Sequence, residues 1–278
     1  MTPAEAPRWL AVRVDHAANR AAVVAALFDA GSQGVQEDGS ALVTHFPPFT
    51  DASVIESLVA AADPVARVTT SDAPQIDWSE WRASVRAHRL GILTVAPPWL
   101  ADEADPMTVS IEPAMAFGTG EHATTRGVVR LMQRLEAMPA IVADLGAGSA
   151  VLAICAARLG AHKVIAIELD RDAIGNAERN VAANGVAHSV HIIEGDAAVL
   201  LPLLAPVGLV LANIISSVLV GMLAVIHDSL EPRGSAILSG ILKEEKPRML
   251  SEIDPSQWQV VSEDEEDEWW SVLIERRQ

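Results

Sequence analysis

The sequence predicts an α/β protein in two parts: a small α+β domain, then a doubly wound, mostly parallel seven-stranded sheet closed by an antiparallel hairpin. Three observations predict it. Over the first seventy residues, alternating and helical stretches follow one another as strand, helix, strand, strand, helix, strand. From Ile141 onward, apolar runs of strand length alternate with helix-length segments, the pattern of a parallel sheet covered on both faces. Beyond Trp258 two strands flank an acidic turn, and a short turn joins antiparallel neighbours.

Trp9 to Val14 alternates as a strand, Asn19 is placed to cap the alanine-rich helix that runs towards Ala30, and Gly31 and Gly34 end it. Gly34 to Glu37 and Ala41 to His45 flank Asp38-Gly39, a hairpin turn in which glycine takes the positive φ. After Pro47-Pro48, Ser53 to Ala62 is helical and Val65 to Thr69 is a strand. That order is ferredoxin-like. It carries no evident chemistry, so residues 1–70 are assigned to binding. Residues 71–79, polar and holding Pro74, read as a linker to a second domain, 80–278. Trp78 and Trp81, three apart, share a helical face and are assigned to packing.

In the second domain the strands are Ile141 to Ala143, Val164 to Ile167, Ser189 to Ile193, Leu209 to Ala212, Ser235 to Leu238, Trp258 to Ser262 and Trp269 to Glu275. Helices are expected over Val151 to Leu159, Asp172 to Ala183, Ser216 to Leu230 and Lys243 to Ile253. The acidic run Glu263 to Glu268 reads as a solvated hairpin turn in preference to a patch that attracts a lysine-rich substrate.

Composition narrows the partners. Twenty Lys and Arg against 37 Asp and Glu give a net charge of −17, which repels nucleic-acid backbones and anionic membranes. A single cysteine, Cys155, excludes an intramolecular disulfide and a cysteine-cluster metal site, and no metal is expected. The richest apolar run, Ser217 to Ile226, is too short to span a bilayer, and the first residues lack the pattern of a signal peptide. A cytoplasmic monomer without direct nucleic-acid or membrane contacts is expected.

Four motifs carry chemistry. Asp144-Leu145-Gly146-Ala147-Gly148-Ser149-Ala150 joins a buried strand to a helix. Its glycines allow a sharp turn and close approach of a ligand to the helix N-terminus. The dinucleotide fingerprint G-x-G-x-x-G fails at Val151. Asp144 at the strand end repels a pyrophosphate and suits a cationic ligand, for which S-adenosylmethionine (AdoMet) qualifies through its ammonium and sulfonium. Glu168 ends the second strand, where a carboxylate can accept from ribose hydroxyls, although Asp170 two positions later competes for that role. Asp196, beside Gly195, reads equally as an acceptor for an adenine amine or as a turn former. Asn213 ends the fourth strand, where its carbonyl oxygen can hold an incoming amine. The stretch Ala116-Phe117-Gly118-Thr119-Gly120-Glu121-His122-Ala123-Thr124-Thr125 reads either as a loop over bound cofactor or as a cap, through Thr124 or Thr125, of a helix from Arg126.

AFGTGEHATT, DLGAGSAVLAICAARLGAHKVIAIELD, LANIISSVL and LSGIL together resemble the ribosomal protein L11 methyltransferase (PrmA) family over essentially the whole chain. The resemblance implies a Rossmann-like class I methyltransferase domain, linked to a domain that recognises the ribosomal protein, and AdoMet-dependent methylation of its lysine side chains and N-terminal α-amine. Family cofactor contacts fall on Thr125, Gly146, Glu168 and Asn213, and Phe117, Gly118, Thr119, Asp144, Gly148 and Asp196 complete the expected site. Asn213 is the candidate catalytic residue, and His122 is assigned to loop structure. This chain departs from the family pattern at Glu168 (usually aspartate), at Ala150 (usually glycine, so ordinary backbone angles are expected there) and at Ala114, in Glu112-Pro113-Ala114-Met115, where the family has Asp-Pro-Gly. Weighed against this are methylation of another protein or a small molecule, a nicotinamide-dependent oxidoreductase, and a non-catalytic nucleotide-binding protein. Val151 and Asp144 argue against the oxidoreductase.

Overall fold

In the computed structural model, which describes residues 9–32, 34–72, 85–113 and 120–277, the chain divides into units of residues 1–81 and 82–278. The first unit runs β1 (Leu10–Asp15), α1 (Arg20–Asp29), β2 (Gln36–Asp38), β3 (Ala41–Phe46), α2 (Ala52–Ala62) and β4 (Arg67–Asp72), with antiparallel sheet order β2-β3-β1-β4. Alternation along β1 sends Val12 and Val14 inward against Val23 and Leu27 of α1 and Ile55 and Val59 of α2. Asn19 caps α1 through the Ala22 N–H at 3.3 Å, and Asp51 caps α2 through the Ser53 N–H at 2.9 Å. Strand β4 extends through Ser71 to Asp72, which pairs with Leu10, so the strand takes the first two residues of the expected linker. Its remainder, with Trp78 and Trp81, lies outside the described residues.

The second unit opens with a small sheet, β5 (His88–Leu90), β6 (Leu93–Ala96) and β7 (Thr108–Ser110), whose strands of three or four residues are too short to show a period in the sequence. Then come α3 (Ala123–Met132), β8 (Ile141–Leu145), α4 (Val151–Arg158), β9 (Lys163–Glu168), α5 (Arg171–Ala183), β10 (Val190–Glu194), α6 (Ala197–Leu204), β11 (Val207–Asn213), α7 (Ser216–Ser229), β12 (Leu230–Leu242), α8 (Lys246–Glu252), β13 (Trp258–Glu266) and β14 (Trp269–Arg276). The sheet order is β10-β9-β8-β11-β12-β14-β13, the first five strands parallel and β14 antiparallel to both neighbours. Because both faces are covered, β11 is apolar at successive positions. Leu209 and Leu211 pack with Val128 and Ile154 on one face, Val210 and Ala212 with Leu219 and Ile226 on the other. Helix α6 went unread in the sequence because Pro202 sits inside it. The helix expected from Lys243 is a single tight turn, Lys243–Glu245, followed by α8, whose Pro247 occupies the first turn where an N–H is dispensable.

The acidic run corrects its expected reading. Glu263 to Glu266 belong to β13, and only Asp267 and Glu268 make the turn. Strand alternation sends Asp264 and Glu266 to α3, which carries Arg126 and Arg130 one helical turn apart, and to Arg134 in the turn just past its end. Arg126 meets Glu266 at 2.6 Å, Arg130 meets Glu266 at 2.7 Å and also Asp264, and Arg134 meets Asp264 at 3.1 Å. Glu263 and Glu265 turn the other way, to Lys246, and the Trp270 indole N–H donates to Glu263 at 2.8 Å. Each of these four carboxylates is therefore neutralised within the chain, which lets them share a strand.

Candidate functional site

The loop after β8 turns at Gly146 (φ 69°) and Gly148 (φ 53°), and its first two N–H groups, those of Gly146 and Ala147, both donate to the Ile167 carbonyl at 2.9 and 3.1 Å. A Cβ at Gly146 would stand 2.7 Å from Ile214 Cγ2, so space as well as angle requires glycine there. Ala150, the N-cap position of α4, does not keep ordinary angles: it is left-handed at φ 65°, ψ 18°. That conformation costs an L-residue about 1–2 kcal/mol. Burial of its methyl group in the core beside α4 offsets about 0.8 kcal/mol of this.

Glu168 borders this loop. Its Oε2 accepts from the Gly148 N–H at 2.7 Å and its Oε1 from the Asp170 N–H at 2.9 Å. Asp170 instead caps α5, accepting from the Asp172 N–H at 3.0 Å. Asp196 is exposed and caps α6 through the Ala198 N–H at 2.8 Å, which engages one carboxylate oxygen in the turn role.

Asp144 lies beneath the loop, buried. Its Oδ2 accepts from the Ala153 N–H at 3.0 Å, while its Oδ1 has no partner among the described residues. It therefore anchors the loop to α4, where the sequence placed it against a ligand's cation. Burial pushes its pKa up to about 7, against the pull of the Ala153 bond and with a smaller push from the Glu168 charge. The folded state thus holds this proton more tightly than the unfolded chain. The group's contribution to stability is present below about pH 4 and is lost as pH rises through about 7. Asp144→Asn is expected to flatten that loss, so that its melting temperature gains on the wild type between pH 5 and pH 8. An offset that stays constant with pH would exclude Asp144 as the titrating group.

Across from the loop, β11 ends at Asn213. Its Nδ2 donates to Thr125 Oγ1 at 3.4 Å, and its Oδ1 is buried without a partner among the described residues. Ser239 pairs in register with Asn213 on β12. It donates to the Thr124 carbonyl at 3.2 Å and accepts from the Ser271 hydroxyl at 2.7 Å. The Thr124-Thr125 pair is thereby held from two adjacent strands. Gly127 lets α3 lie this close, since a Cβ there would stand 2.6 Å from Ser271 Oγ.

Helix α3 starts at Ala123, three residues before the expected Arg126, and its cap is His122 where Thr124 or Thr125 was expected. The His122 Nδ1 hydrogen-bonds Thr124 Oγ1 at 2.7 Å, and the ring meets Trp269 edge-on at 4.9 Å. Burial, then the Arg126 charge, lowers its pKa. The sequence reading missed Ser239, Ser271 and Gly240, although the first and third stand in LSGIL. Phe117, Gly118, Thr119 and Ala114 lie outside the described residues.

The described groups converge at the carboxyl ends of β8, β9 and β11, where ligands bind in open α/β sheets. A glycine loop bordered by a carboxylate, beside a buried amide oxygen without a partner among the described residues, fits a small ligand that brings both hydroxyl and amine donors. Five parallel strands followed by an antiparallel β14, with this loop after β8, define a Rossmann-like methyltransferase. The family model described as ribosomal protein L11 methyltransferase (PrmA) matches residues 14–277. The chain belongs to this family.

Among relatives, the ribosomal protein L11 methyltransferase of Pelotomaculum thermopropionicum is 36% identical over 215 residues, 74% of this chain and 68% of the relative. That of Synechococcus sp. (strain RCC307) is 33% identical over 210 residues, 73% and 70% of the two chains. The crystal structure of ribosomal protein L11 methylase from Lactobacillus delbrueckii subsp. bulgaricus superposes with a TM-score of 0.62 at 27% identity, covering 69% of this chain and all of that one.

Proposed function

We propose that this chain transfers methyl groups from AdoMet to amines of ribosomal protein L11, both lysine side chains and the N-terminal α-amine, in the cytoplasm and as a monomer. The observation that carries the reading is the buried Asn213 Oδ1 beside the glycine loop, without a partner among the described residues and suited to accept from an amine N–H. Glu168 would hold the ribose hydroxyls of the donor, with Gly146, Gly148 and Thr125 lining its place and Asp196 offering its second oxygen to the adenine amine. Phe117, Gly118 and Thr119 complete the donor site in this reading, and residues 1–70 bind the ribosomal protein.

Bound AdoMet supplies an electrophilic methyl: the S–C bond breaks as the N–C bond forms, and one proton leaves the amine for each methyl gained. A lysine must arrive neutral, which at pH 7 costs about 4.6 kcal/mol from a reference pKa of ~10.4. Burial of the amine beside a cationic sulfonium lowers that cost. Asn213 orients the neutral amine through its amide oxygen, and no dedicated general base is required of the described residues. His122, engaged as a helix cap, serves structure.

The test is transfer of labelled methyl from AdoMet to purified ribosomal protein L11, resolved by intact mass. Successive single-methyl additions are expected. Measured AdoMet binding without any addition would overturn the assigned acceptor, and no AdoMet binding would overturn the donor.

A further inference from the structure

Helix α5 carries two buried asparagines one turn apart, Asn176 and Asn180, and a third, Asn184, at its C-cap, a costly choice for a helix face unless every amide is used. All three are used, and on the backbone of one neighbouring segment. Asn184 reads both polar groups of Ser110, accepting from its N–H at 2.9 Å and donating to its carbonyl at 2.6 Å. Asn176 donates to the Glu112 carbonyl at 3.4 Å. Asn180 differs from both. Its Oδ1 accepts from the Glu112 N–H at 3.0 Å, while its Nδ2 donates to the carbonyl of Ser149, inside the glycine loop, at 3.0 Å. One fully buried side chain thus ties the strand-β7 segment to the loop.

We infer that Asn180 is a positioning residue for the methyl donor: it sets the glycine loop from below while Glu168 sets it at Gly148. Ser149 immediately precedes left-handed Ala150, a strained position that persists only where neighbours over-determine it. The Asn180 bond to Ser149 is one such constraint, and the Glu168 bond to Gly148 is another. Removing the first frees the loop to relax out of its ligand-ready turn, so donor affinity falls while the transfer step, which uses Asn213, is spared.

The inference rests on AdoMet being the donor, so binding of AdoMet to the wild-type chain is measured first; its absence would overturn that reading and this one together. Given binding, Asn180→Ala is expected to raise KM for AdoMet about tenfold with kcat within about threefold. Asn184→Ala, which removes a comparable set of buried bonds without touching the loop, is expected to lower the melting temperature similarly and leave KM unchanged. A wild-type KM in Asn180→Ala, or an equal rise in Asn184→Ala, would overturn the inference. Should Asn180→Ala fail to fold, hydrogen exchange in the wild-type chain decides. AdoMet is expected to slow exchange of the Glu112 N–H, which donates to Asn180; no slowing would overturn the positioning role.

Discussion

Asn213→Ala is expected to lower kcat/KM for methyl transfer by about 100-fold or more, with the melting temperature changed little. The amide sits at the end of a fully apolar strand, and its two polar atoms have different tasks. Nδ2 is engaged with Thr125 at 3.4 Å, a long bond whose loss costs the fold little. Oδ1 is buried without a partner among the described residues, so the folded chain bears its desolvation in advance. An incoming amine regains that energy, and alanine offers it no acceptor. Steady-state kinetics with both substrates varied, beside a thermal melt, checks this. Unchanged kinetics would remove Asn213 from the site, and a lost fold would make it structural.

Gly240→Ala is expected to abolish measurable activity and to destabilise the chain by about 3 kcal/mol or more. Gly240 has φ 82°, where any L-residue is strained. A Cβ there would also stand 2.3 Å from the Ile214 carbonyl oxygen, 2.8 Å from its carbonyl carbon and 3.2 Å from its nitrogen. All three are main-chain atoms with no rotamer to yield, so the clash must move the peptide that follows Asn213. Ile214 Cγ2 in turn lies against Gly146, so the displacement reaches the glycine loop as well. Gly221→Ala on α7, where a Cβ meets nothing within 4 Å, serves as the control and should be neutral or stabilising. Chemical denaturation and the methyl-transfer assay check both variants; a stable, active Gly240→Ala would show that the β11–β12 ends are not rigidly coupled.

The acidic run illustrates where sequence reading stops. Glu263 to Glu266 looked like a turn because four adjacent carboxylates repel one another in any isolated strand. The arginines that neutralise Asp264 and Glu266, two on α3 and one just past its end, lie 130 to 140 residues earlier in the chain, a separation that carries no local pattern. Asp144 is the same case in reverse. A strand-end carboxylate reads as a ligand group, and only the packing of α4 shows it turned inward to the Ala153 N–H. The identity of the helix cap was also undecidable locally, because His122, Thr124 and Thr125 all carry suitable acceptors, and the edge-on contact of the imidazole with Trp269 comes from far along the chain.

What the sequence by itself determined was whatever depends on neighbours in the chain. The strand–helix alternation, the glycine turn after β8, the carboxylate ending β9 and the amide ending β11 follow from periodicities of two and 3.6 residues and from the backbone angles glycine permits. What only the tertiary structure decided was which of those groups face one another. Asn213 meets Thr125 from 88 residues away and Asn180 meets Ser149 from 31 residues away, and that Asn213 Oδ1 has no partner among the described residues is a property of that assembly. Hydrogen bonds and desolvation act through space, and the sheet order, with β8 between β9 and β11, brings these distant segments to one edge.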